Sequence, residues 1–417
     1  MKRIRIEGGN KLTGTISISG AKNSAVALVP ASLLSDEIVK IDNIPDISDI
    51  QALNEILEYL GAKVTRDGVL MEIDSSKIVN REIPEEISKK LRASYYFMSS
   101  LLGKYKKVQM YFPGGCAIGA RPIDQTLKGY RALGATVIEE GNKYTIFADE
   151  LYGAEVYLDM PSVGATINTI LVAARAKGDT VIENAAKEPE IVNVATFLNN
   201  MGAKITGAGT STIRITGVDY LGSGFAEVIP DRIETGTYII AGALVGDRLR
   251  IENIIPEHVE SLLNKLREMG FPLKQEIDAV EISAVETAKA VNVKTLGYPG
   301  FPTDLQQPIT TLLTQCTGVS ILEETIYENR FQNVPYLVEM GAKIAVDGTK
   351  IHVNGPSKLA GKVVSATDLR ASACLVLAGL KAEGITIVGE AEHVLRGYEN
   401  IVEKLTDVGA KIEIEEI

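Results

Sequence analysis

The sequence predicts an α/β protein of two similar domains, each made of three repeats of about seventy residues. Three observations predict it. A helix-ending signature recurs six times, as "YLGAKV" (Gly61), "ALGATV" (Gly134), "NMGAKI" (Gly202), "EMGFPL" (Gly270), "EMGAKI" (Gly341) and "DVGAKI" (Gly409). The spacings are 73, 68, 68, 71 and 68 residues, too even for chance. Each unit also carries a second, almost wholly apolar helix, and between the helices lie short β-rich runs. The chain has 417 residues, which suits two domains of ordinary size.

The opening "MKRIRIEGGNKLTGTISISG" alternates apolar and polar residues and reads as strand. Each signature glycine reads as the residue just past a helix, at positive φ, before a strand begins. The apolar helices read as "AKNSAVALVPASLL", "LRASYYFMSSLLG", "VGATINTILVAARAKG", "IETGTYIIAGALVG", "DLQQPITTLLTQCTG" and "DLRASACLVLAGLKAEG". Small residues and apolarity all round make them buried helices. The helices that end at the glycines, such as "EHVESLLNKLREMG", are amphipathic and belong at the surface. Strands are expected at "VQMYFPGG", "KIHVNG" and "GITIVG". The join between domains falls near "GSGFAEVIPDRIE".

Composition narrows the function. The net charge of −11 argues against non-specific nucleic-acid binding, which needs a basic surface. An anionic small substrate would require a local cluster of Lys and Arg. No run of eighteen apolar residues exists, so no membrane span is expected. The N-terminus lacks the apolar core of a signal peptide, so a cytoplasmic location is expected. Cys116, Cys316 and Cys374 are far apart and only three His are present, which argues against disulfides and a structural zinc. No HExxH motif or carboxylate cluster calls for a metal, and no Walker A or GxGxxG motif calls for a nucleotide cofactor.

The starts of the apolar helices carry Lys22, Arg92, Gly164, Arg232, Asp304 and Arg370. Cations at a helix N-terminus oppose the macrodipole, so four of them at equivalent starts point to something negative. Free N–H groups at the same ends bind phosphate or carboxylate.

Several residues bear chemistry. "PGGCAIGARP" sets Cys116 in a glycine-rich loop five residues before Arg121. A thiol near a guanidinium has a lowered pKa and becomes reactive; the alternative is a small buried hydrophobe. Cys316 and Cys374 read as buried hydrophobes inside apolar helices. Asp304 in "FPTDLQQP" and Asp368 in "SATDLRAS" read either as N-caps or, for Asp304, as a general base for a substrate hydroxyl. Arg370 falls in the first turn after Asp368, and Arg396 in "VLRGYENI" at the start of the last amphipathic helix. "PSVGAT" offers Ser162, Val163 and Gly164 as a short cradle for a diphosphate.

Taken together, "SGAKNSA", "PGGCAIGARPID", "PSVGAT", "AAKEPEIV", "GFPTDLQQP", "ATDLRASA" and "RGYENIVEKL" resemble the UDP-N-acetylglucosamine 1-carboxyvinyltransferase family. The resemblance covers essentially the whole chain. The cysteine loop separates that family from the related 5-enolpyruvylshikimate-3-phosphate synthases.

The resemblance implies two pseudo-symmetric inside-out α/β barrels. Residues 21–229 form the N-terminal one, which carries the Cys116 lid loop; 1–20 with 230–417 form the C-terminal one, and the active site lies in the cleft between them. It implies transfer of the enolpyruvyl group of phosphoenolpyruvate to the 3′-hydroxyl of UDP-N-acetylglucosamine with loss of phosphate, the first committed step of peptidoglycan synthesis. No cofactor or metal is implied. Cys116 corresponds to the acid that protonates C3 of phosphoenolpyruvate, and to the thiol that forms a covalent phosphothioketal with it. Asp304 corresponds to the base, or orienting partner, of the sugar hydroxyl. Lys22, Asn23, Arg121, Arg370 and Arg396 match the phosphoenolpyruvate side, with Lys22 and Arg396 also counted as catalytic. Arg92, Arg121, Pro122, Ile123, Asp124, Gln125, Ser162, Val163, Gly164, Asp304 and Ile326 match the nucleotide-sugar side. Leu395 stands where relatives often have an acid, and Met160 where some have Lys. Cys116 implies sensitivity to fosfomycin. An enolpyruvyl transferase with another acceptor, and a non-catalytic paralogue, remain the alternative readings.

Overall fold

The computed structural model describes residues 2–112 and 123–416. These fall into two compact units: residues 20–112 with 123–229, and residues 2–19 with 230–416.

One sheet pattern recurs. In the first unit, Gly224–Glu227, Ile38–Asp42, Leu70–Asp74 and Lys63–Asp67 lie side by side; the first pair is parallel and the next two antiparallel. Glu155–Tyr157, Asp179–Glu183, Thr212–Thr216 and Lys204–Thr206 repeat that order and sense. The third sheet has Lys107–Tyr111, Lys143–Phe147 and Thr136–Glu140, and its parallel partner shrinks to one bridge between Ile83 and Met110.

In the second unit the same pattern runs through Val363–Ser365, Ile385–Gly389, Lys2–Glu7 and Lys411–Glu416. It returns in Leu12–Ser17, Gly246–Glu252, Ala279–Ile282 and Leu273–Gln275. Its last copy is Ala288–Lys289, Cys316–Glu323, Lys350–Gly355 and Lys343–Asp347. The repeat seen in glycine spacing is therefore a repeat of hydrogen-bond topology. It contains one exchange: Leu12–Ser17 precedes helix Lys22–Ala31 in sequence but pairs with Gly246–Glu252, while Gly224–Glu227 precedes helix Arg232–Val245 but pairs with Ile38–Asp42.

The six signature glycines all sit at positive φ, between 95° and 110°. An L side chain there strains the backbone. At Gly341 a Cβ would also stand 2.7 Å from the Lys358 carbonyl oxygen.

Helices lie inside and sheets outside. In the second unit Arg232–Val245, Gln306–Leu313 and Leu369–Lys381 pack on one another, and every residue from Ile233 to Val245 is buried. In the first unit Tyr96–Tyr105 packs on both Lys22–Ala31 and Val163–Ala173. The amphipathic helices cover the sheets, as Glu260–Met269 does by burying Leu262, Leu263, Leu266 and Met269. This is the layout of an inside-out α/β barrel, and it explains why one helix of each repeat carries no polar face.

Close helix approach depends on small residues. A Cβ at Gly236 would lie 2.4 Å from Cδ1 of the fully buried Leu305. Gly236→Ala gains about 0.5–1 kcal/mol of helix propensity but forces an overlap worth about 1–3 kcal/mol. The expected outcome is a net loss, read as a lower denaturant midpoint. A midpoint at or above the parent's would show that Leu305 can move aside.

Two expectations are corrected. Cys316 does not sit in a helix; the helix ends at Leu313 and Cys316 opens strand Cys316–Glu323, because the chain must turn into the sheet there. It is buried as expected, as is Cys374, and burial raises both thiols to about 11. Arg396 does not start the last helix but follows the short helix Glu392–Leu395, five residues before Ile401–Asp407. Gly397 and Asn400, with φ of 51° at Asn400, occupy the turn between them.

Candidate active site

The short turn Thr303–Leu305 leads into helix Gln306–Leu313 and carries Asp304. Of the two readings of Asp304, the N-cap fails: it accepts no bond from the helix's N–H groups. Its carboxylate is instead gripped by two guanidiniums. Oδ1 accepts from Arg330 Nη2 at 2.8 Å and Oδ2 from Arg370 Nη2 at 3.0 Å. Both arginines are buried, whereas 26% of the Asp304 side chain stays exposed. Burial alone would raise its pKa; the charges of Arg370 and Arg330 outweigh that and hold it well below the usual carboxylate range. Asp304 is thus a permanent anion with one open side.

Asp368 does cap its helix, accepting from the N–H groups of Arg370 at 2.8 Å and Ala371 at 3.0 Å. The cap fixes the first turn of Leu369–Lys381 and so aims Arg370. That guanidinium also donates to the Tyr398 hydroxyl at 3.2 Å, which is joined to the Thr237 hydroxyl at 2.8 Å. Burial works against the charge of Arg370, but Asp304 more than compensates, and its pKa is raised. Arg330 Nη1 donates to the Thr303 hydroxyl at 2.7 Å. Ile326 lies on the same loop as Arg330, its N–H bound to Glu324 Oε1 at 2.8 Å and its side chain exposed.

The first unit has its own cluster. Lys22 is the first residue of helix Lys22–Ala31, with half-buried Asn23 beside it. Its Nζ meets Asp49 Oδ2 at 2.7 Å, in the first turn of Ser48–Leu60. Asp49 sets the position of the ammonium at the start of helix Lys22–Ala31. Ser162 caps helix Val163–Ala173 by accepting from Ala165 N–H at 3.2 Å. A Cβ at Gly164 would stand 1.9 Å from the Tyr95 hydroxyl oxygen, so any larger residue there must displace the Tyr95 side chain. Gln125 binds Asp159 from both ends of its amide, accepting from Asp159 N–H at 2.8 Å and donating to Oδ2 at 3.0 Å. This joins the stretch of buried Ile123, exposed Asp124 and buried Gln125 to Asp159, next to the 160–164 segment. Arg92 stacks over the Phe112 ring at 5.2 Å. Met160 is exposed and adds no cation.

Cys116, Arg121 and Pro122 lie outside the described residues. Sequence reasoning missed Arg330, Glu324, Tyr398 and Asp49. Arg330 follows no turn or helix start, so no local pattern marks it; the signal available was an acid in a first turn for Asp49 alone. Among the described residues no His, Cys, Asp and Glu cluster could hold a metal ion, and no helix is long and apolar enough to cross a membrane.

Comparison with known proteins agrees with this architecture. The EPSP synthase (3-phosphoshikimate 1-carboxyvinyltransferase) family model matches residues 6–405. UDP-N-acetylglucosamine 1-carboxyvinyltransferase 2 of Listeria monocytogenes is 53% identical over 410 residues, covering 98% of this chain and 97% of the relative. The protein of the same name from Geobacillus kaustophilus is 53% identical over 412 residues, covering 99% and 96%. Among solved structures, the enolpyruvyl transferase NikO from Streptomyces tendae matches with a TM-score of 0.90 at 28% identity over 99% of this chain and 98% of that one. EPSP synthase from Acinetobacter baumannii shares the fold, with a TM-score of 0.77 at 16% identity over the full length of both chains. The two-barrel architecture and these near-full-length identities place the chain in the EPSP synthase (3-phosphoshikimate 1-carboxyvinyltransferase) family and, within it, among the UDP-N-acetylglucosamine 1-carboxyvinyltransferases.

Proposed function

We propose that this chain transfers the enolpyruvyl group of phosphoenolpyruvate to the 3′-hydroxyl of UDP-N-acetylglucosamine, releasing phosphate and opening peptidoglycan synthesis. The observation that carries the reading is the Asp304 carboxylate, held ionised and open on one side between two buried guanidiniums. In the addition, the sugar oxygen bonds to C2 as its O–H bond breaks and that proton passes to a phosphate oxygen of phosphoenolpyruvate, while C3 takes a proton from Cys116. In the elimination, C3 gives a proton back, the C2–O bond to phosphate breaks, and phosphate leaves with the electron pair.

A general base works best with a pKa near the working pH. Asp304 lies far below that, so its part is to accept a hydrogen bond from the 3′-hydroxyl and orient it for attack. Lys22, Asn23, Arg121, Arg370 and Arg396 meet the anionic phosphoenolpyruvate. Arg92, Arg121 to Gln125, Ser162 to Gly164, and Ile326 meet the nucleotide sugar. The cations offset charge that would otherwise repel the second substrate. The thiol of Cys116 also makes the phosphothioketal and is the point of attack for fosfomycin. Both substrates are small molecules, and we place the reaction in the cytoplasm.

The test is phosphate release from phosphoenolpyruvate. It is expected to require UDP-N-acetylglucosamine, to ignore shikimate 3-phosphate, and to be lost in Cys116→Ala. Turnover with shikimate 3-phosphate would favour another acceptor; full activity in Cys116→Ala would remove the thiol from the chemistry.

A further inference from the structure

Glu324 is 1% exposed, and its partners are hydroxyl and N–H groups. Oε1 accepts from the Thr295 hydroxyl at 2.9 Å, Ile326 N–H at 2.8 Å and Tyr327 N–H at 3.3 Å. Oε2 accepts from the Thr303 hydroxyl at 2.8 Å. A buried carboxylate is costly to keep, and a neutral amide would satisfy the two N–H groups as well. What only a carboxylate supplies is an acceptor at both oxygens.

That difference acts on Thr303. A hydroxyl has one proton. Committed to Glu324, it leaves only lone pairs toward Arg330, whose Nη1 donates into them at 2.7 Å. Arg330 has few other anchors. Its Nε is buried without a hydrogen-bond partner among the described residues, and the Tyr327 ring lies 5.1 Å from its guanidinium carbon. Its remaining bond runs to Asp304 Oδ1. The chain Glu324–Thr303–Arg330–Asp304 is therefore a directed series of hydrogen bonds ending on the carboxylate that orients the acceptor.

We propose that Glu324 is a positioning residue for the reaction, setting the Asp304 carboxylate through the Thr303 hydroxyl and the Arg330 guanidinium. This rests on the reading of Asp304 given above. Glu324 also anchors Ile326, so its loss disturbs the nucleotide-sugar side, whereas loss of the Thr303 hydroxyl touches only the series itself.

Five variants test it by phosphate release across a pH range, with melting temperature followed in parallel. Thr303→Val is expected to lower kcat by about 10²-fold, the scale of a misplacement near 1 Å, with KM for the nucleotide sugar within about threefold of the parent. Its acid limb of kcat/KM is expected to move toward higher pH, because a loosened Arg330 does less to hold Asp304 low, with the charges of Arg370 and Arg232 still facing the carboxylate. Thr303→Ser, which keeps the hydroxyl, is expected to restore both. Glu324→Gln is expected to repeat the loss and also raise KM. The double variant Thr303→Val/Glu324→Gln is expected to have a kcat no lower than the worse single variant, since both cut one series. A parent-like kcat and pH profile in Thr303→Val, or additive losses in the double variant, would overturn the proposal. Asp304→Asn separates the two levels: if it stays active, the reading of Asp304 fails and takes the proposal with it. If it is inactive while Thr303→Val is not, only the proposal fails.

Discussion

Arg370→Ala is expected to lower both stability and turnover sharply. The guanidinium is buried and serves two partners, Asp304 Oδ2 and the Tyr398 hydroxyl. Removing one member of a buried pair costs about 3–5 kcal/mol, because the partner charge stays behind. Asp304 keeps Arg330 and some exposure, so the low end, about 3 kcal/mol, is the expected loss in unfolding free energy. The Asp304 carboxylate would then hang from one guanidinium. Turnover should fall by about 10²-fold or more, as for a reacting group shifted by about 1 Å. Arg370→Lys should not rescue it, because a single ammonium cannot span both partners as the planar fork does. Denaturant unfolding and steady-state phosphate release check the two parts. An unchanged midpoint would mean that Asp304 relaxes into solvent at no cost.

The linkage of Asp304 to pH has a definite sign. Its folded pKa lies below the unfolded value, so its contribution is present above the unfolded pKa and is lost as pH falls through the folded one. Across neutral pH it is constant, and the Arg370→Ala comparison reads the pair alone.

How much of this was legible beforehand follows from the range of the forces involved. The six glycines announced six helix ends because the left-handed turn is a local demand on one residue. The apolar helices announced burial because no face of them is polar. Cations at helix starts were visible for the same local reason. Arg330 was not. It sits 26 residues from Asp304 along the chain, in a segment with no helix or strand of its own, and only the tertiary fold brings them within 2.8 Å. Glu324 was hidden likewise, since a glutamate after a β-rich run reads as surface. Asp304 shows the limit most clearly. Sequence placed it correctly at a helix start, where capping and chemistry look alike. Asp368, in the same position one repeat later, took the cap, and Asp304 took the guanidiniums. The side chains that decide between these fates lie elsewhere in the chain.

Glu234→Gln is expected to change how stability depends on pH, and here the sign is opposite. Glu234 lies in the first turn of Arg232–Val245 and is 3% exposed. Lys404 Nζ donates to Oε1 at 2.6 Å and Ser19 N–H to Oε2 at 3.1 Å. The cap Asp231 and Tyr238 one turn on face the same carboxyl, and Glu399 accepts from the Ser19 hydroxyl, which in turn accepts from Lys404 at 2.7 Å. Burial raises Glu234 to about 7; Lys404 pulls it down but does not win. The folded state therefore holds a proton that the unfolded chain has already lost, and stability falls as pH rises from about 4.5 to about 7. The gap between those values corresponds to about 3 kcal/mol. A glutamine cannot ionise, so Glu234→Gln should remove that slope: the variant gains on the parent by up to about 3 kcal/mol between pH 5 and pH 8. Parallel unfolding curves for the two proteins across that range would refute it. The cost is tolerated because Ser19 ends the stretch in which Leu12–Ser17 has joined the sheet of the second unit. A carboxyl gripping the Ser19 N–H and Lys404 together ties that strand to the first turn of a helix more than two hundred residues later.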